Sequence, residues 1–262
     1  MRRLTTSRYV IFLRSGIGVV ALATLAALAG CGARSSAATV AASPAADHTV
    51  TATRSGTSRS AAGVAIDQRI ARDAQLRRSD FPSGWSSSPR PAATTGGKCP
   101  GIRDARAAVD AHARSREFAQ VSGGFAAATA DSAVYIYADT AGARHWFAHM
   151  SSRDTRACLV RVLGKSTEAQ VRGQGATLDS ITARRVSLAP AGDEHAADRI
   201  VIRLTAGGVR AKVEADVIFV QVGRGIAAFA LADVGGPPDQ RLETKLVRVV
   251  TGRLAAGLQG AG

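Results

Sequence analysis

The sequence predicts an α+β domain in which helices pack on an antiparallel sheet of about five to six strands. From residue 178 onward, apolar residues recur with a period of two, which indicates strands at 181–188, 200–204, 211–222 and 226–231. Amphipathic helical stripes precede, interrupt and follow these strands. Strands joined in sequence by short turns, with the helices set apart from them, favour this fold class.

Cys31 ends a short apolar run near the N-terminus. Residues 1–14 carry four arginines and no acidic residue, and residues 17–29 are uncharged and apolar. A positive start, a short apolar stretch and small residues at its end are the three parts of an export signal. The run is shorter than the roughly 20 apolar residues that cross a bilayer. We therefore expect residues 1–30 to be a signal peptide that is removed.

The tetrapeptide Leu28-Ala29-Gly30-Cys31 resembles the bacterial lipobox. This resemblance implies cleavage before Cys31 and attachment of lipid (palmitate or a similar acyl chain) to its sulfur. Two or more acyl chains anchor a protein stably, so the expected location is the extracytoplasmic face of the cell membrane. An ordinary signal peptide or a single-pass anchor, with an incidental cysteine, is the alternative.

Residues 31–63 consist mainly of alanine, serine, threonine and glycine. Such a segment buries too little apolar surface to offset the entropy of ordering it. We expect a disordered tether, followed by one domain over residues 64–262.

The charge of the chain is +14, and residues 65–262 carry 27 lysine and arginine residues against 19 aspartate and glutamate residues. The basic residues are spread along the chain and do not alternate with aromatic residues, as a nucleic-acid surface would require. We expect no nucleic-acid partner. The surplus charge suits a weak attraction to anionic lipid headgroups or acidic wall polymers.

Three cysteines occur in the sequence. If lipid occupies Cys31, then Cys99 and Cys158 remain as a pair, which outside the cytoplasm tends to oxidise. We predict a disulfide between them, and two separate buried thiols are the alternative. No cysteine or histidine spacing typical of a zinc site is present.

The first half of the domain predicts helices at 64–78 and 103–114 and strands at 118–129 and 132–138. Phe81 to Trp85 form a turn whose aromatic residues cover the core or, alternatively, face a ligand. Asp139 caps a helix whose buried stripe is Ala143, Trp146, Phe147 and Met150. A further helix over 154–163 ends at Gly164.

The second half adds a hairpin turn at 223–225 and a central strand at 217–220, which is apolar on both faces. Asp239 opens the last helix, whose buried stripe is predicted to be Leu242, Leu246, Val249, Val250 and Leu254.

The DFPSGW turn, the pair Cys99 and Cys158, and the order strand–helix–meander–helix resemble extracytoplasmic domains of actinobacterial lipoproteins. They are similar to the sensor domains of receptor serine/threonine kinases and to lipoproteins with a PsbP-like sheet. The kinase sensor domains usually carry a second disulfide and tryptophans beside cysteines, and this chain has neither. The resemblance implies a sensor or binding role and transfers no functional residue.

No catalytic residue, metal site or cofactor site is predicted. His145 and His149 are spaced as two zinc ligands on one helix face, but the glutamate of an HExxH motif is absent. The Glu194-His195 pair lies in a polar connection, and no nucleophile turn of the form GxSxG occurs.

The sequence therefore predicts a non-enzymatic, membrane-tethered module that binds an apolar or wall-derived ligand. The predicted ligand-lining residues are aromatic: Trp85, Tyr135, Tyr137 and Trp146. An envelope lipoprotein that binds a protein partner and has no ligand cavity is the alternative, and a hydrolase with unidentified residues is a third possibility.

Overall fold

The structure is a computed structural model that describes residues 60–90, 99, 109–122 and 125–261. Its helices are Ala61–Asp73 (α1), Thr140–Met150 (α2), Arg153–Arg172 (α3) and Gln240–Gln259 (α4), with a short 3-10 turn at Arg78–Asp80. Its strands are Trp85–Ser88 (β1), Val109–Arg114 (β2), Glu117–Ser122 (β3), Phe125–Tyr137 (β4), Ala176–Val186 (β5), Glu194–Ala206 (β6), Val209–Val222 (β7) and Gly225–Val234 (β8). The predicted signal peptide, Cys31 and residues 31–59 of the predicted tether lie outside the described residues.

All the strands form one antiparallel sheet in the order β1-β3-β4-β8-β7-β6-β5, and β2 pairs with β4. The α+β class with an antiparallel sheet is confirmed. The predicted strand number was too low, because the described residues form eight strands. β1 is only four residues long, and β2 was assigned to a helix.

The helix predicted at 103–114 is wrong over its second half, and residues 100–108 lie outside the described part. Residues 109–114 form β2, which pairs with the C-terminal half of β4, while β3 pairs with its N-terminal half. The alanines of this segment favour a helix as an isolated peptide, but pairing with a long strand overrides such a preference.

The two strands predicted at 118–129 and 132–138 were also placed incorrectly, because β4 runs without a break from Phe125 to Tyr137. The predicted break falls at residues 130–131, beside the polar residue Ser132. Instead, Ser132 is buried and bonded: its backbone N–H donates to Ser115 Oγ at 2.9 Å, and its hydroxyl donates to Gln75 Oε1 at 2.9 Å. Asp131 beside it forms an ion pair with Arg90 at 2.8 Å.

The sheet has a hydrophobic core on each face. Helices α2 and α3 pack on one face, around Trp146, Leu163 and Phe219. Helices α1 and α4 pack on the other face, around Ile218 and Leu246. Residues 217–220 of β7 are buried and contribute alternately to both cores, which confirms the predicted central strand.

The predicted end of α3 at Gly164 is wrong, since the helix continues to Arg172. A Cβ at Gly164 would lie 3.3 Å from Ile181 Cγ2 of β5. The glycine therefore allows a close approach of helix and sheet instead of ending the helix. The buried face continues through Thr167 and Val171, and the polar threonine weakened the apolar pattern there.

The two predicted N-terminal caps and the predicted hairpin turn are confirmed. Asp139 accepts a hydrogen bond from the Gly142 backbone N–H at 2.7 Å, and Asp239 caps α4 by accepting from two backbone N–H groups. The hairpin at 223–225 joins β7 to β8, with Val222 paired to Gly225.

The predicted disulfide between Cys99 and Cys158 is present, with a Cα–Cα distance of 5.8 Å. Both residues are buried with Leu159. The bond fixes the connection between β1 and β2 to the first half of α3.

Candidate functional site

The four aromatic residues predicted to line a ligand site do not share one cleft. Tyr135, Tyr137 and Trp146 pack together on the α2 side of the sheet, with the Trp146 ring centroid 5.6 Å from that of Tyr135 and 6.5 Å from that of Tyr137. Trp85 lies on the other face and contacts Phe81 at 4.7 Å between ring centroids. All four are at most 6% exposed. Their contacts are those of core residues.

The histidines considered as metal ligands lie on α2, where His145 is exposed and His149 is half-buried. Within the described residues, no group of three or more His, Cys, Asp or Glu side chains could hold a metal ion. The Glu194-His195 pair was predicted in a connection, but it begins β6.

The structure instead shows an open groove of about 700 Å³ between α4 and residues 188–193, which connect β5 to β6. One wall is formed by the connection and by the end of β7, and the other by the second half of α4. The groove is lined largely by aliphatic and small side chains, with a few polar groups between them: Leu188, Val222, Val247, Ala255, Leu258, Asp193, Thr251, Arg248 and Gln259.

Gly192 determines the course of the first wall. Its φ is +61°, and a Cβ there would lie 2.2 Å from the carbonyl oxygen of Gln221. Only glycine adopts this backbone conformation without strain and also allows so close an approach. The Asp193 backbone N–H donates to the Gln221 carbonyl at 2.8 Å, and the Asp193 carboxylate accepts from the Gly223 backbone N–H at 2.6 Å. The connection is thus tied to the β7–β8 turn at one end of the groove.

The second wall contains two glycines of α4 with different surroundings. A Cβ at Gly257 would lie 2.7 Å from Ile70 Cγ2, so this glycine allows α4 to approach α1 closely. A Cβ at Gly252 would have no atom within 4 Å, and Gly252 lines the groove. A side chain at position 252 would therefore extend into the groove without meeting the protein.

The buried carboxyl groups of Asp216 and Glu243 lie near the start of α4, on the face of the sheet that α4 covers. Arg199 donates two hydrogen bonds to the Asp216 carboxylate, at 2.7 and 2.6 Å. Burial, together with a hydrogen bond to Asp216 and the charge of that residue, raises the pKa of Glu243 to about 8, although Arg199 opposes this. Glu243 is therefore mostly protonated at neutral pH and donates its proton to Asp216.

Substitution of Glu243 by glutamine should remove a pH dependence of stability. In the folded protein the pKa of this carboxyl is about 8, against 4.5 for the free side chain. Between these values the folded state holds one more proton than the unfolded state, so the free energy of unfolding falls as pH rises, by at most about 1.4 kcal/mol per pH unit. The side-chain amide of the Glu243→Gln variant can still donate to Asp216 but does not titrate.

Urea unfolding at pH 5, 6.5 and 8 measures this effect. The Glu243→Gln variant should gain stability relative to the native protein as pH rises from 5 to 8. Glu168→Gln, on the exposed side of α3, is the control and should follow the native slope. Parallel slopes for the native protein and the Glu243 variant would contradict the assignment.

Sequence reasoning missed the groove because its walls come from segments about 60 residues apart, and both looked ordinary. The APAGDEHAAD stretch has the composition of a polar connection. The signal that could have drawn attention is glycine inside the last helix, at positions 252 and 257, since glycine in a helix interior costs about 1 kcal/mol relative to alanine.

No protein-family model matches the sequence, and no curated protein is significantly similar to it. Among solved structures, the chain is similar to the extracellular domain of PknH from Mycobacterium tuberculosis, with a TM-score of 0.36 and 7% sequence identity. The match covers 74% of this chain and 96% of the PknH domain. No property of that domain is transferred to this chain. Within the described residues, no helix is long and apolar enough to cross a membrane.

Proposed function

We propose that the chain is a membrane-anchored extracytoplasmic lipoprotein that acts as a non-enzymatic ligand-binding or sensor-like module. The groove between α4 and residues 188–193 carries this proposal. Its volume of about 700 Å³ lies within the range of small-molecule sites, and such sites typically combine an apolar lining with a few polar groups.

The proposed location is supported by the sequence before the domain and by the disulfide. The LAGC tetrapeptide supplies a lipid attachment point at Cys31, and the residues between it and Ala61 would connect it to α1. The bond between Cys99 and Cys158 fits an oxidising compartment. Replacing Cys31 by serine should move the protein from the membrane fraction to the soluble extracytoplasmic fraction. Unchanged maturation and unchanged membrane partitioning would contradict the anchor.

A binding role is favoured over catalysis by the groove lining. The described lining residues include no histidine, serine or cysteine, and their one carboxylate, on Asp193, accepts a backbone hydrogen bond from Gly223. The hydroxyls of Thr244 and Thr251 donate to backbone carbonyls of α4. A nucleophile and a base within reach of each other are what hydrolytic catalysis requires, and the described lining residues do not provide them.

Filling the groove tests the binding role. A Gly252→Trp variant places a large side chain into the groove, whereas Gly252→Ala adds only a methyl group and is the matched control. We expect native mass spectrometry of the mature protein from its own host to show a retained ligand on the native protein and on Gly252→Ala, and to show its loss on Gly252→Trp. An equal ligand load on all three would exclude the groove. A bare native chain across several preparations would favour the alternative, an envelope protein that binds a protein partner.

A further inference from the structure

The groove combines an apolar end with one basic residue, Arg248. Leu188, Val222 and Leu258 lie at the end near the β7–β8 turn, where Asp193 is occupied by the Gly223 backbone N–H. Arg248 lines the groove from α4 and is exposed. It lies one helical turn before Gly252, away from the buried side of the helix.

A second arginine, Arg184, lies on the face of the sheet that α4 covers but is not one of the groove's lining residues. Val186 and Leu188 pack against the core on the α4 side, and Arg184 precedes Val186 by two residues on β5, so its side chain projects from the same face. The register places Arg184 opposite Arg199 of β6. Arg199 is paired with Asp216, whereas Arg184 is exposed and adds positive charge to this face of the sheet.

The described acidic groups nearby do not form ion pairs with Arg184 or Arg248. Asp216 is held by Arg199, and Glu243 donates its proton to Asp216. Within the part of the chain that the structure describes, no ion pair joins Arg184 or Arg248 to a carboxylate. Arg248 therefore presents its guanidinium beside the apolar lining. The one carboxylate among the described lining residues, on Asp193, accepts the Gly223 backbone N–H near the β7–β8 turn.

We propose that the groove binds an anionic amphiphile, with its apolar chain along Leu188, Val247 and Leu258 and its carboxylate or phosphate headgroup at Arg248. This inference rests on the proposed binding function and names the class of ligand. A guanidinium group recognises a carboxylate or a phosphate through two parallel hydrogen bonds. The aliphatic lining removes the chain of the ligand from water, which favours binding in proportion to the apolar area buried.

A pair of probes that differ only in charge tests the inference. The probes are 11-(dansylamino)undecanoic acid and its uncharged methyl ester, titrated against the full mature protein with dansyl fluorescence as the readout. We expect the acid to bind roughly tenfold or more tightly than the ester, since a hydrogen bond to a charged group is lost with the ester. The Arg248→Gln variant should bind the acid only as tightly as the ester, and its affinity for the ester should equal that of the native protein. Arg241→Gln, an exposed arginine in the first turn of α4 that does not line the groove, is the matched control and should bind both probes as the native protein does.

Gly252→Trp separates this inference from the proposed function. The inference is supported if Gly252→Trp binds neither probe and Arg248→Gln loses affinity for the acid alone. If Gly252→Trp removes both probes but Arg248→Gln affects both equally or neither, the groove remains a binding site and the anionic headgroup is excluded. The amphiphile proposal is overturned if neither probe binds the native protein, or if both probes bind Gly252→Trp as tightly as they bind the native protein. In either case, the retained ligand measured by mass spectrometry still decides whether the groove has a binding function. Circular dichroism of each variant excludes misfolding as the cause.

Discussion

Replacing Arg224 by methionine should lower the free energy of unfolding by about 3–5 kcal/mol, because it leaves the Asp67 carboxylate buried without its guanidinium. Asp67 on α1 is 1% exposed and accepts two hydrogen bonds from Arg224, at 2.9 and 2.5 Å. Arg224 lies in the β7–β8 turn and also donates to the Tyr137 carbonyl at 3.0 Å. One side chain thus connects the hairpin, β4 and the first helix.

The double variant Asp67→Leu/Arg224→Met separates loss of an ion pair from loss of packing. It should recover much of the stability lost in Arg224→Met, because the buried charge is removed together with its partner. Arg172→Met, which breaks an exposed pair with Glu168 on α3, is the control and should change stability by less than about 1 kcal/mol. Urea unfolding measures all three variants. A single Arg224 variant no less stable than this control would contradict the buried pair.

Elements whose signals are local in sequence were predicted well. Asp139 and Asp239 cap their helices by bonding backbone N–H groups within three residues, and side chains of this kind are recognisable before any fold is known. Strand β7 is apolar on both faces over 217–220, which only a position between two covered faces allows.

Elements that depend on distant partners were predicted poorly. Residues 109–114 form a strand only because the C-terminal half of β4 offers unpaired backbone groups. Ser132 stays inside β4 because Ser115 and Gln75 satisfy its polar groups, and a sequence pattern does not show such partners. Gly164 has the sequence pattern of a helix end. The structure shows a different reason for glycine at this position, which is the close approach of Ile181 on β5.

The site was harder to predict than the fold for a related reason. Aromatic residues suggested a ligand cleft, but the large apolar area of Tyr135 and Trp146 is buried in the core, where such residues contribute most to stability. The groove uses small and aliphatic residues of α4 and of the β5–β6 connection. These residues line a groove that forms only when distant segments of the folded chain meet, so their sequence pattern does not reveal it.

Loss of the disulfide should have the second large effect on the stability of the domain. Replacing Cys99 and Cys158 together by alanine should lower the free energy of unfolding by about 4 kcal/mol on the chain-entropy model, since the bond closes a loop over a sequence separation of 59 residues. The effect should be uneven within the domain. The bond joins the β1–β2 connection to α3, so amide hydrogen exchange should speed up most in α3, whereas β7 and β8 at the centre of the sheet retain their protection.

Reduction of the native protein provides the matched comparison, because it breaks the same bond without changing a side chain. Dithiothreitol should lower the urea midpoint of the native protein toward that of the double variant and leave the variant itself unchanged. An unchanged midpoint in both the reduced protein and the double variant would show that the bond contributes little to stability. Since α3 packs on β5 through Gly164 and Leu163 as well, we expect the helix to open locally at a lower free energy but to remain folded under native conditions.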